Sequence, residues 1–284
     1  MGVRRDARDA LAAAGVRPRK RWGQHFLCDP AVARRIVETA EVGPGTRVVE
    51  IGPGLGALTD ELAARAATLV LVEIDAPLAQ RLTERHAGNP RVRVVQADVL
   101  DLALDRLVPE GPATVVANLP YNIGTEIVFR LLEARRHLPR AVVMLQREVA
   151  DRFAARPGTP AWGAASVLVQ TFAVVRIAFG VSRRSFLPPP AVGSAVVDIR
   201  WTSEPRVAVA DVAAYRAVVR AAFGQRRKML RNALAEVAST LGGAPDALGR
   251  AFHAAGIDPA ARGETLTLED FARLTRALVA PADA

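Results

Sequence analysis

The sequence predicts an α/β protein, a doubly wound and largely parallel sheet followed by a small helical domain. Three observations carry that prediction. Short β-branched apolar runs alternate with helical stretches through the first two hundred residues. A glycine-rich turn, Gly52-Pro53-Gly54-Leu55-Gly56, closes the first clear run. After Trp201 the strand-like runs stop and only amphipathic helical patterns remain.

In chain order, residues 1–28 are basic and read as partly helical, with Arg17, Arg19, Lys20 and Arg21 just ahead of Trp22. A helix is expected to start with Asp29 as its cap and Pro30 at its first position, burying Val32, Ile36 and Val37. Residues 47–51 read as a strand and 58–66 as a helix with Leu58 and Leu62 on one face. Residues 69–74, 92–95, 114–117 and 141–145 are further strands, with helices around 76–87, 124–136 and 147–155. Residues 174–179 and 195–201 form a closing pair late in the sheet. The uncharged stretch 158–175 contains Pro160, Gly163, Ser166, Gln170 and Thr171, so it reads as buried core and not as a membrane span. Helices are expected at 212–223, 228–241, 247–255 and 268–278, and the turn at 202–205 suggests domains 1–204 and 205–284.

Composition narrows the function classes. The 284 residues are half hydrophobic, which fits a globular chain and excludes wholesale disorder. The 38 basic residues exceed the 29 acidic ones by nine, which favours a polyanionic partner such as nucleic acid. One cysteine, Cys28, excludes internal disulfides and a cysteine-based zinc cluster, so no metal is expected and a reducing, cytoplasmic setting is. Asp6 and Asp9 interrupt the only candidate for a secretory signal. No membrane partner is expected, and a monomer is.

The glycine turn stands between a strand and a helix, where glycine lets the backbone turn sharply and approach a ligand. Residues 52–57 also satisfy the dinucleotide pattern, and Glu73 at the end of the next strand suits a ribose hydroxyl in either reading. Two more acids favour S-adenosylmethionine. Glu50 sits at the tip of the first strand, within reach of that ligand's methionine end, although it reads equally as a loop-organising carboxylate. Asp98 follows the next strand, where it can accept from an adenine amine. Added carboxylates would repel a dinucleotide's pyrophosphate.

Asn118-Leu119-Pro120-Tyr121 puts an amide, a stiffened backbone and an aromatic ring at the carboxyl end of a strand, where ligand chemistry sits in open α/β sheets. Joined to the glycine turn, it resembles class I methyltransferases acting on an exocyclic adenine amine, and most closely the KsgA/RsmA family of small-subunit ribosomal RNA adenine dimethyltransferases. Similar segments span nearly the whole chain. They are Lys20-Arg21-Trp22-Gly23-Gln24-His25-Phe26-Leu27, Asn122-Ile123-Gly124-Thr125, Gln146-Arg147-Glu148-Val149-Ala150, Phe186-Leu187-Pro188-Pro189-Pro190-Ala191-Val192, Phe223-Gly224-Gln225-Arg226-Arg227-Lys228 and Arg262-Gly263-Glu264-Thr265-Leu266. Departures are Trp22 for a more usual Phe, Cys28 for Asn and Gly193 for Asp, none of them in the Asn-Leu-Pro-Tyr turn.

The resemblance implies a Rossmann-like sheet with a helical RNA-binding domain. It also implies S-adenosylmethionine as donor, with S-adenosylhomocysteine as product, and 16S rRNA in the small ribosomal subunit as partner. Cofactor contacts are implied for His25, Leu27, Gly52, Gly54, Glu73, Asp98 and Asn118. The expected catalytic group is Asn118, Leu119, Pro120, Tyr121 and Phe186, with Tyr121 and Phe186 stacking on opposite faces of the base, unless Phe186 is an ordinary core aromatic. RNA contacts are expected from Arg19, Lys20 and Arg21 and from Arg226, Arg227 and Lys228, the latter in a run with Arg216, Arg220 and Arg231. Three other readings stand: a 23S rRNA dimethyltransferase of the macrolide-resistance type, a ribosome-assembly binding factor with secondary catalysis, and a nicotinamide dehydrogenase.

Overall fold

A computed structural model describes residues 23–225, 228–242 and 246–279, together with Asp9, Leu11, Ala12 and Gly15. Two compact units emerge, residues 1–150 with 174–201, and residues 151–173 with 202–284. The division is therefore not a single cut near residue 204.

Among the described residues the first unit holds nine strands: β1 (Phe26–Leu27), β2 (Arg47–Ile51), β3 (Thr68–Glu73), β4 (Val92–Gln96), β5 (Thr114–Asn118), β6 (Arg140–Gln146), β7 (Ala173–Val181), β8 (Phe186–Leu187) and β9 (Ser194–Trp201). Seven form one sheet in the order β4-β3-β2-β5-β6-β9-β7. The pairs β3–β4, β2–β3, β2–β5 and β5–β6 are parallel, and β6–β9 is antiparallel. In β2, β3, β5 and β6 successive residues are buried, so both faces of the sheet are covered. One face packs Val48, Leu71, Val116, Val142 and Val196 against Ala33, Ile36 and Val37 of helix α1 (Pro30–Thr39) and Leu62 of α2 (Thr59–Arg65). Asp29 caps α1 by accepting from Ala31 N and Val32 N. The expected burial of Val32 is only partial, and Ala33 takes the inward position instead. Helices α3 (Ala76–Arg85) and α4 (Gly124–Glu133) complete the crossovers, and α5 (Arg147–Phe153) carries the chain past Ala150 into the second unit.

The strand order reverses at β2, with β3 on one side and β5 on the other, which opens a crevice at their carboxyl ends. Register places Ile51 beside Ala117, so the glycine turn and Asn118 emerge level with each other. A two-stranded antiparallel piece, β1–β8, pairs Phe26 with Leu187 and Leu27 with Phe186.

The second unit is helical: α6 (Ala164–Gln170), α7 (Val212–Gly224), α8 (Leu230–Ala233), α9 (Ala235–Gly242), α10 (Ala247–Ala255) and α11 (Leu268–Val279). Helix α6 lies within the stretch read from sequence only as core. The expected helix over 228–241 starts only at Leu230, because Met229 is extended and the N–H groups of Leu230 and Arg231 donate to Ala261 O and Pro259 O, and it divides in two at Leu234. Residues 151–173 belong here for a visible reason. Trp162 Nε1 donates to Leu266 O at 3.0 Å, Gly158 N donates to Glu264 O at 2.8 Å, and the Thr171 and Tyr215 hydroxyls meet at 3.0 Å. Gly263 packs so tightly that a Cβ there would lie 2.9 Å from Ala222 O.

Candidate active site

A cleft opens at the carboxyl ends of β2, β3 and β5. Its walls include His25, Leu27, Glu50, Gly52, Gly54, Glu73, Asp98, Asn118, Leu119, Pro120 and Tyr121. Residues separated by nearly a hundred positions in sequence are thus brought into one cavity by the parallel crossovers.

The glycine turn depends on left-handed backbone at three positions, Gly52 (φ 66°), Gly54 (φ 57°) and Gly56 (φ 86°). A Cβ at Gly54 would also lie 3.0 Å from the Phe26 ring. Glu73 clasps this turn, since its carboxylate accepts from Gly54 N and from Asp75 N, each at 2.9 Å. Each carboxylate oxygen keeps a second lone pair for a ligand hydroxyl. Burial pushes the Glu73 carboxyl up, against the opposing pull of the Asp75 and Gly54 N–H groups. Asp98, half-buried, turns one oxygen onto Leu100 N at 2.9 Å.

Glu50 is 1 % exposed and has one hydrogen bond, accepted from Thr59 Oγ1 at 2.8 Å. Burial pushes its carboxyl up to about 8; the Thr59 bond resists this and the Glu73 charge adds to it. The sequence pointed to Glu50 but not to Thr59, whose only signal is a hydroxyl at the first turn of α2.

Asn118 ends β5. Its Nδ2 donates to the His25 carbonyl at 3.0 Å, while its Oδ1 is buried with no hydrogen-bond partner. An orphaned buried acceptor costs about 1–3 kcal/mol and is rare enough to need an explanation. The His25 Nδ1–H donates to Pro188 O at 2.8 Å, which ties this segment to the proline loop. The Tyr121 ring lies 4.9 Å from the His25 ring, and its hydroxyl meets the Ser194 hydroxyl in a short hydrogen bond. Burial raises the Tyr121 phenol. Ser194 is buried at the start of β9 and nothing in its sequence setting marks it.

Phe186 differs from its expected place. It is fully buried, packs with Leu27, Met144 and Val196, and does not line the cleft. It stands edge-on behind Tyr121 at 6.4 Å, so it supports that ring from the core and does not offer a second stacking face. Pairing of β8 with β1 is what pulls it inward. Arg19, Lys20, Arg21, Arg226 and Arg227 lie outside the described residues. Lys228 is exposed, as are Arg220 and Arg231. Among the described residues no three His, Cys, Asp or Glu side chains gather as metal ligands, and no helix is long and apolar enough to cross a membrane.

A glycine turn closed by one strand-end carboxylate, a second after the next strand, and an amide beside an aromatic ring together define a class I methyltransferase built to present an amine to a methyl donor. The family of ribosomal RNA adenine dimethylases matches residues 15–278, and the chain belongs to it. It is 46% identical over 273 residues to "Ribosomal RNA small subunit methyltransferase A" of Moorella thermoacetica, covering 93% of each chain. Among solved structures, the 23S rRNA methyltransferase ErmE aligns with a TM-score of 0.69 and 32% identity, over 89% of this chain and 99% of that one. A dimethyladenosine transferase from Plasmodium falciparum aligns with a TM-score of 0.75 over 88% of this chain and 96% of that one; at 24% identity it speaks for the fold.

Proposed function

We propose that the protein transfers methyl groups from S-adenosylmethionine to the N6 amines of two adjacent adenosines near the 3′ end of 16S rRNA in the small ribosomal subunit. The product is N6,N6-dimethyladenosine. The observation that carries this is the buried, unpartnered Asn118 Oδ1 in a cleft beside an aromatic ring.

The residues present fit the donor. Glycines leave room for close approach, Glu73 suits its ribose hydroxyls, and Asp98 suits its adenine amine. A cationic ligand beside Glu50 and Glu73 would favour their charged forms, against the upward push of burial. When bound, S-adenosylmethionine supplies a methyl group already activated on a sulfonium. Backbone around His25 and Leu27 closes one side.

An adenine amine is a weak nucleophile because its lone pair is delocalised into the ring. The Asn118 Oδ1 and the Leu119 carbonyl accept its two N–H bonds, which draws the nitrogen toward a tetrahedral form with its lone pair free. The same oxygens stabilise positive charge as it develops on that nitrogen. Pro120 contributes no competing N–H. Tyr121 stacks on the extruded base, held by Ser194 and backed by Phe186. The alkylated nitrogen is acidic and gives up its proton without a strong base.

The basic residues Arg19, Lys20, Arg21, Arg226, Arg227 and Lys228 supply phosphate contacts. A monomer acting in the cytoplasm completes this reading. The likeness to ErmE favours 23S rRNA as a second reading, but the 46% identical relative named for the small subunit outweighs it. Mass spectrometry of nuclease-digested rRNA tests the proposal, using small subunits lacking the modification, treated with this protein and labelled donor. Label in dimethyladenosine of the 16S 3′ end is expected. Label confined to 23S rRNA, or none, overturns it.

A further inference from the structure

Between Asp151 and Asp198 the chain contains no Asp or Glu, yet it carries Arg176, Arg183 and Arg184 on the part that belongs to the first unit. Arg183 and Arg184 are exposed on a short turn that leads directly into β8 and Phe186. That turn is firmly built. Ser182 Oγ accepts from Arg184 N at 3.2 Å, Cys28 N donates to Ser185 O at 2.8 Å, and Ser185 Oγ donates to Asp29 Oδ2 at 3.0 Å.

Asp29 is fully engaged there, since its other oxygen caps α1. The same helix presents Arg34 and Arg35 to solvent, and the Arg35 guanidinium lies 3.9 Å over the Phe179 ring of β7. The Asp29–Ser185 bond and the Arg35–Phe179 stack therefore fix α1 alongside the arginine turn at two points. Among the described residues, Arg34 and Arg183 form no ion pair. Glu38, the one acid of α1, bonds neither of them.

A set of guanidiniums without ion pairs, beginning with Arg183 three residues from the ring that backs Tyr121, is suited to polyanion backbone. We infer that Arg183, Arg34 and Arg35 form a phosphate track on the catalytic unit, separate from the basic residues named above, which holds the RNA strand leading away from the target adenosine. The inference rests on the RNA reading under Proposed function. Guanidinium favours phosphate through bidentate geometry, and such contacts position a strand without reading its sequence.

The test is equilibrium binding of a 16S 3′-terminal RNA fragment, and of an unrelated RNA of equal length, across a salt series. Wild type is compared with the Arg34→Ala/Arg183→Ala double variant; Arg35 is left in place because it packs on Phe179. Each lost phosphate contact should reduce the slope of log affinity against log salt by about 0.7 to 1. Binding at low salt should weaken severalfold for both RNAs, with thermal melting and donor affinity unchanged. Wild-type slope and affinity in the double variant would overturn the track alone. A wild type without salt-dependent RNA binding would overturn the track and the RNA reading together.

Discussion

The Asn118 amide donates to the His25 carbonyl at 3.0 Å, and that bond decides which end of the amide is committed to a protein partner. With the nitrogen engaged, the oxygen must face inward, where it has no protein partner. The site is thus an acceptor prepared in advance, with its orientation set by a segment ninety-three positions away in sequence. The His25 ring anchors that segment through Pro188 O.

His25→Phe removes this anchor while keeping an aromatic ring beside Tyr121. Loss of one such hydrogen bond is worth about 1 kcal/mol, so donor affinity should fall roughly five- to tenfold. Equilibrium dialysis with labelled donor checks this. Unchanged affinity would show that the segment is held by the β1–β8 pairing alone.

Ser194→Ala frees the Tyr121 hydroxyl. The ring should then sample other orientations, raising the KM for RNA severalfold with a smaller effect on kcat, and Ser194→Thr should restore it. The chain contains only two tyrosines, so tyrosine labelled with ¹³C at Cζ gives two resonances, and only that of Tyr121 should move. A Tyr121 resonance unmoved in Ser194→Ala would contradict the account.

Glu50 makes the cofactor-free protein sensitive to alkali. Its folded-state carboxyl is pushed from 4.5 up to about 8, so between those values the folded state keeps a proton that the unfolded state has lost. Its contribution to stability is complete at pH below 4.5 and fades as pH rises toward 8. Glu73, also raised by burial, acts in the same direction. Glu41, lowered by Arg140, and Asp270, lowered by Thr267 and Arg273 against the opposing effect of burial, act in the opposite direction and only in acid. Denaturant melts of wild type against Glu50→Gln should show a decline with pH that is shallower in the variant. Parallel pH profiles would remove Glu50 as its cause.

Gly54→Ala meets both a positive φ and the Phe26 ring. Left-handed backbone costs a non-glycine residue about 1–2 kcal/mol, so a drop of a few degrees in melting temperature should accompany a clear loss of donor affinity. Retention of wild-type donor affinity would show that the turn does not approach the ligand.

Most of the seven-stranded sheet was legible because its strands carry short β-branched apolar runs set between helical stretches. Residues 47–51 match β2, and the remaining central strands differ by a residue or two at their ends. The glycine turn, the strand-end acids and Asn118 were legible as local patterns that the crossovers then bring to one place. The β1–β8 pair was not, because two-residue strands have no periodicity and are specified by tertiary contact. That omission led to the misplacement of Phe186, since only the pairing with Leu27 shows that it points into the core. Ser194 and Thr59 gave no signal, because a single buried hydroxyl reads like any strand or helix residue. Sequence alone places the 151–173 segment with the sheet domain, because its tie to residues 264 and 266 runs through backbone groups at distant positions.

The central claim is that an inward-facing amide oxygen activates the amine. Single-turnover methyl transfer at saturating donor and RNA, wild type against Asn118→Ala, tests it most directly. Loss of an oriented polar group of this kind should slow the step about a hundredfold or more, while the protein still folds and binds RNA. A rate constant in the variant close to that of wild type would contradict the account.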